Sequence, residues 1–215
     1  MTHLRRLILL PLFTAVLFIS RSWAQGGLGG CNNCTLPTVI RLVGNSSGTP
    51  DAAAGRFTVI VRDIAMDPVA HASVVIGFES CTDLAICADQ LDADATVFCA
   101  AKLVRKLTDA SGAVTFTILG HSNGAGGATT LAYAGNIYVT GSLVRHPSIA
   151  AFDLDGFSGV GAGDLSVWLS DFGSGMDWAR SDYDGDGRVG AADLSEWLTV
   201  FGAGGSTQSC AASCP

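Results

Sequence analysis

The feature that most constrains this chain is a duplication. Laid over one another at a shift of 29 residues, AFDLDGFSGVGAGDLSVWLSDFG (151–173) and RSDYDGDGRVGAADLSEWLTVFG (180–202) agree at 13 of 23 positions. An internal repeat of this kind predicts two copies of one supersecondary unit that bury their apolar faces on each other. Each copy opens with aspartates two residues apart, bends at glycines, carries an aspartate at its twelfth position and continues into a helix-like apolar pattern.

The spacing points to a cation. In the second copy Asp182, Asp184, Asp186 and Asp193 would repel one another strongly with nothing positive between them. Calcium takes about six to eight oxygens, and a loop of about twelve residues delivers them from positions 1, 3 and 5, the carbonyl at 7, a water at 9 and a carboxylate at 12. The expected ligands are Asp182, Asp184, Asp186, the Arg188 carbonyl, a water near Gly190, and Asp193, with Gly187 at the sharp bend. In the first copy Asp153, Asp155 and Asp164 hold positions 1, 3 and 12, with the Gly159 carbonyl as a fourth donor. Phe157 stands at position 5 and offers no side-chain oxygen, so the first loop is expected to bind more weakly. Val160 and Val189, at position 8, are expected to pair through their backbones. Trp168 and Trp197 share helical stripes with leucines and are read as core.

Ordinary EF-hand loops end in glutamate and are entered by a helix, whereas both copies here end in aspartate and Asp153 follows the strand-like HPSIAAF. Those departures, the two-fold repeat and the form D-x-D-x-D-G-x-V-x-x-x-D-L-x-x-W/L-L resemble the dockerin module over residues 151–203. The resemblance implies calcium as cofactor and a cohesin-like protein partner, often within a polysaccharide-degrading complex. Ala191 and Ala192 beside the last ligand, and Thr199 to Gly202 later in the helix, depart from the hydroxyl and basic residues the family often carries there.

Residues 37–150 read as β-structure. RFTVIVRD puts Phe57, Val59 and Val61 on one face, SVVIGFE is β-branched, and AVTFTIL alternates Val114, Phe116 and Ile118 with threonines. MDPV and TDASG supply turns. NIYVTGSLVRHPSIAAF reads as a hairpin whose second arm runs toward the aspartates, and about seven strands of this kind make a sandwich-sized unit. VRDIAMDPVAHASVVIGF followed by KLTDASGAVTFTILG resembles the bacterial immunoglobulin-like domains of invasin type, which implies a spacer or adhesion module. The expected fold is therefore mainly β: an immunoglobulin-like β-sandwich followed directly, with no Gly/Ser or Pro-rich linker, by a small α-helical dockerin-like calcium-loop module.

The first 24 residues read as an export signal, with Arg5 and Arg6 before a 13-residue apolar run from Leu7 to Ile19 and small residues at Ser22 and Ala24. That run falls short of the roughly 20 residues a membrane span needs. A secreted or cell-surface location follows, with a Gly/Cys-rich segment over 25–36 and a Cys-containing tail over 204–215. Without Arg5, Arg6 and Arg21 the chain keeps nine basic and 19 acidic residues, a net charge of −10, which disfavours nucleic acid.

All seven cysteines follow the signal: CNNC (Cys31, Cys34), then Cys81, Cys87 and Cys99, then CAASC (Cys210, Cys214). An oxidising compartment favours disulfides over a four-thiolate zinc site, and seven leaves one thiol over. The three middle cysteines are expected to staple the loop 79–99 that carries them. LGGC loosely matches a lipoprotein box at Cys31, but the apolar run ends too far upstream.

GHSNG (120–124) matches a G-x-S-x-G nucleophile elbow at Ser122, yet a glycine-rich stretch and not a helix follows it. With no paired carboxylates on a β framework, the sequence favours a non-catalytic calcium-binding protein. The alternatives are a small secreted polysaccharide hydrolase and a structural or adhesion protein with a calcium-stabilised tail.

Overall fold

Alternation of apolar with polar residues builds the front of the chain. The computed structural model describes residues 31–46, 49–50, 52–90, 92–124, 134–203, 210 and 212–214. The expected export signal, residues 25–30 with most of the lipobox match, most of the glycine-rich stretch after Gly124, and tail residues 204–209, 211 and 215 lie outside them. In chain order come β1 (Val39–Leu42), β2 (Asn45–Ser46), β3 (Thr49–Pro50), the one-turn α1 (Ala52–Gly55), β4 (Arg56–Ile60), β5 (Ser73–Gly77) and β6 (Leu84–Ile86). They are followed by β7 (Thr96–Phe98), β8 (Leu103–Leu107), β9 (Ala113–Thr117), β10 (Gly120–Ser122), β11 (Asn136–Val139), β12 (Ser142–Arg145), β13 (Ser148–Ala151), α2 (Ala162–Gly173) and α3 (Ala191–Gly202).

The fold is mainly β with a small helical part. An antiparallel five-stranded sheet runs in the order β12-β11-β5-β8-β7, and β4 pairs with β9, β6 with β10 and β2 with β3. The period-2 reading holds in detail: in the β4–β9 register Phe57 faces Phe116 and Val59 faces Val114, and the two phenylalanine rings stack at 5.4 Å. Val59, Val61, Val114, Phe116 and Ile118 share one core with Val74, Ile76, Val104, Ile137 and Val139 of the five-stranded sheet.

One expectation about connectivity is corrected. The hairpin is β11–β12, turning at Thr140 and Gly141, both with positive φ. The arm that leads to the aspartates is a separate strand, β13, which pairs in parallel with β1 from Val39–Ser148 to Leu42–Ala151. Pro147 separates β12 from β13; lacking an N–H and restricting His146 before it, it ends the hairpin ladder there.

β13 then feeds straight into the first aspartate loop, with the Phe152 N–H donating to the Leu42 carbonyl at 3.2 Å. A second core joins the parts: Val43, Leu119 and Ala150 from the β-region bury against Phe152, Leu154, Val160, Trp168, Tyr183, Trp197 and Val200. Among the described residues no helix is long and apolar enough to cross a membrane.

The cysteines do not staple their own loop. Cys31 bridges Cys34, while Cys87 bridges Cys210 and Cys99 bridges Cys214, at sequence separations of 123 and 115 residues. The tail is laid beside β6: Ala88 N–H donates to the Ala212 carbonyl and Cys214 N–H to the Ile86 carbonyl, both at 2.8 Å. These pairings also take up Cys31, Cys34, Cys210 and Cys214, the two end pairs whose thiols a four-thiolate zinc site would use. Cys81 is the free, buried thiol among the described residues.

Candidate metal centre

The two loops share one hydrogen-bond plan, set by the aspartate at position 12. Asp164 Oδ1 accepts from the N–H groups of Leu154 (2.5 Å) and Asp155 (2.9 Å), and its Oδ2 accepts from Gly161 N–H (2.6 Å). Asp193 repeats the set with Tyr183 (2.6 Å), Asp184 (3.1 Å) and Gly190 (2.8 Å). Each carboxylate therefore gathers positions 2, 3 and 9 around the third residue of its exit helix, where the helix N-terminus also favours negative charge. A glutamate's extra methylene would push its oxygens past these amides, which accounts for aspartate in both copies.

Position 1 tightens the other half of each loop. Asp153 Oδ1 accepts from Gly156 N–H at 2.7 Å, and Asp182 accepts from Gly185 N–H at 2.8 Å and Gly187 N–H at 2.9 Å. At position 3, Asp155 and Asp184 accept from the N–H of position 5, at 2.8 and 3.0 Å. The second loop bends at Gly187 (φ 86°), whereas the first places Ser158 there at φ 60°. A serine in the left-handed region is strained, by about 1–2 kcal/mol.

These bonds bring the carboxylates together. One oxygen from each of Asp153, Asp155 and Asp164 lies within 4.8 Å of the others, and Asp182, Asp184 and Asp193 form the equivalent group. Asp186, the expected position-5 ligand, stands outside its group: it is exposed and its Oδ1 accepts from Arg188 N–H at 2.9 Å. Arg188 is exposed and Gly159 buried within their loops. Phe157 points to solvent, 75% exposed. Val160 and Val189 make no backbone bridge with each other. The loops are tied instead by side chains, with the Phe152 and Tyr183 rings stacked at 4.6 Å and the Tyr183 hydroxyl donating to the Ala151 carbonyl at 2.9 Å.

Each triad holds two buried carboxylates. Asp153, Asp164, Asp182 and Asp193 are all buried, and Asp164, Asp182 and Asp193 form no ion pair among the described residues. Burial, partly offset by the backbone amides, pushes the Asp164 and Asp182 carboxyls above the ordinary carboxylate value. Backbone amides offset only part of the desolvation cost of a buried carboxylate that has no cationic partner, and a bound cation would offset more of it. The donor set is all oxygen, so the residues fit a hard cation such as calcium and not a soft one.

Both tryptophans are core, as expected, and each is lidded by a half-exposed phenylalanine one turn on: Trp168 by Phe172 at 5.4 Å and Trp197 by Phe201 at 5.2 Å. Trp197 Nε1 donates to the Phe152 carbonyl at 3.2 Å.

The Ser122 elbow is not built. Ser122 ends β10, is fully buried, and its hydroxyl donates to the Asp83 carbonyl at 3.2 Å. Its N–H donates to the Asp153 carbonyl at 2.8 Å, so the motif serves as backing for the first loop. Sequence reasoning missed this backing, and it missed His121, which joins the loop to the tail; neither leaves a periodic or spacing signal.

Compared with known proteins, the chain matches no family model, no curated protein and no solved structure.

Proposed function

We propose that this chain is an exported, non-catalytic calcium-binding protein in which an immunoglobulin-like β-sandwich of spacer or adhesion type carries a dockerin-like pair of calcium loops. The observation that carries the reading is the repetition of one arrangement: two triads of aspartates at equivalent positions, each converging within 4.8 Å through matching amide bonds. Solvated turns have no reason to bury position 12 twice in the same way. Calcium, held by Asp153, Asp155 and Asp164 and by Asp182, Asp184 and Asp193, supplies the positive charge that relieves their repulsion.

The module's role is docking or surface assembly through a cohesin-like protein partner, as in polysaccharide-degrading complexes. Supporting this, Leu169 and Phe172 on α2 and Leu198 and Phe201 on α3 are exposed at repeat-equivalent positions, which offers apolar area twice over. A second reading, a calcium-stabilised structural clasp, is favoured by the core shared between β-region and loops and by the Arg41–Glu196 ion pair at 2.8 Å from β1 to α3.

Thermal unfolding of the whole chain in calcium and in chelator tests the metal reading: calcium should raise the melting temperature. A calcium-dependent complex with a purified cohesin-type domain would select docking, and stabilisation without complex formation would select the clasp.

A further inference from the structure

We infer that the first loop is the lock of the C-terminal clasp: a cation held by Asp153, Asp155 and Asp164 fixes His121, and through it Ser213, so that metal binding shields the Cys87–Cys210 and Cys99–Cys214 bridges from reduction. This rests on the calcium reading of the loop and extends it to regulation of a second element. The contacts run in series. Ser122 N–H donates to the Asp153 carbonyl at 2.8 Å. Gly156, at φ 76°, presses against the imidazole so closely that an added Cβ would lie 2.8 Å from His121 Nδ1 and 2.8 Å from the Ser122 carbonyl oxygen. His121 Nδ1 is 2.7 Å from that same carbonyl oxygen, and because a carbonyl only accepts, Nδ1 carries the proton. In the neutral ring Nε2 is then the acceptor for the Ser213 hydroxyl, at 2.9 Å. Ser213 itself sits opposite Cys87 in a β-bridge, beside Cys214.

The second loop makes no such connection in its equivalent contacts. Its Gly185 packs on Val39 of β1, and its Tyr183 carbonyl accepts from Arg41 Nε at 2.6 Å. The two copies have therefore diverged in what they brace: loop two holds β1, and loop one holds the His121 shelf under the tail. An empty first loop, with three carboxylates repelling, loosens positions 1–4 and with them the backing of His121. Opening of the tail from β6 is the local unfolding event that admits a reductant to the bridges.

The test measures the rate at which dithiothreitol reduces the two bridges in the full chain, read by alkylation and mass spectrometry, with calcium and with chelator. Wild type and the loop-two variant Asp184→Asn should show protection by calcium of about tenfold or more, and Asp155→Asn and His121→Ala should show about twofold or less. Ser213→Ala, which removes only the hydroxyl, keeps the test valid if His121→Ala folds poorly, and it should lose most of the protection. Calorimetry on the same samples separates the two levels of the argument. Calcium binding with full protection in both His121→Ala and Ser213→Ala, or protection lost in Asp184→Asn and kept in Asp155→Asn, overturns the lock and leaves the calcium site standing. No binding in wild type overturns both.

Discussion

Arg180 grips Asp171 with two hydrogen bonds, Nε to Oδ2 at 2.8 Å and Nη2 to Oδ1 at 2.7 Å, with both side chains almost wholly buried. Ser181 adds a hydroxyl to the same carboxylate at 2.6 Å. At the repeat-equivalent positions stand Ala151 and Val200, both buried and both apolar. One half of the duplicated module thus joins exit helix to loop by a buried charge pair where the other half presents only apolar side chains.

Removing one partner should cost far more than removing both. Asp171→Val leaves the Arg180 guanidinium buried without its carboxylate, and a loss of about 3–5 kcal/mol is expected. The double variant Asp171→Val/Arg180→Ala copies the twin half and should recover a large part of that loss. Denaturant unfolding of the two single variants and the double provides the cycle; additive losses would contradict a coupled pair.

The weak loop should be repairable. Phe157 is exposed and can be exchanged without disturbing the core, so Phe157→Asp should tighten calcium binding at the first loop by adding a negative charge beside its triad, as Asp186 does outside the triad of the second loop. Ser158→Gly removes the left-handed strain and should stabilise the metal-free protein by about 1 kcal/mol. In the second loop Asp193→Ala should be more damaging than Asp186→Ala, since Asp193 binds three backbone amides and Asp186 one. Titration calorimetry and thermal melts on these variants check the order.

The legibility of the sequence follows the physics of each feature. The aspartate spacing, the exit helices and the tryptophan core were readable because they repeat, and a repeat reports on its own geometry. The exit helices begin at Ala162 and Ala191, two residues before the position-12 aspartates, whose carboxylates accept the Gly161 and Gly190 amides and cap the first turn. The β1–β13 pairing was not readable, since a parallel partner 109 residues away (Val39 with Ser148) leaves no local pattern. Disulfide connectivity was equally hidden: spacing shows which cysteines are near in sequence, and both long bridges join cysteines that are far apart. The Arg180–Asp171 pair was not readable, because a single polar residue on a helix does not show which neighbour will bury it.

Cys81 should behave as an inert thiol. Burial, reinforced by Asp83 and Glu79, pushes it up to about 12, so the reactive thiolate is scarce at neutral pH. Iodoacetamide should leave the native protein unlabelled and add one equivalent per chain once it is unfolded without reductant. Rapid native labelling would contradict the buried placement.

Proton and calcium effects on stability should oppose each other. Asp164 and Asp182 titrate above their unfolded value in the metal-free fold. Their contribution is fully present below the ordinary aspartate range, near 3.8, and is lost as pH rises through the raised folded values. Calcium needs the deprotonated carboxylates, so its stabilisation grows over the same rise in pH. The gap between melting temperatures with calcium and with chelator should widen from about pH 4 to pH 7. A constant gap would contradict carboxylate ligation.

Isothermal titration of calcium into the full chain tests the central claim most directly. Two unequal sites are expected, the tighter lost in Asp184→Asn and the weaker lost in Asp155→Asn. No binding at millimolar calcium, or binding unchanged in both variants, would contradict the metal centre.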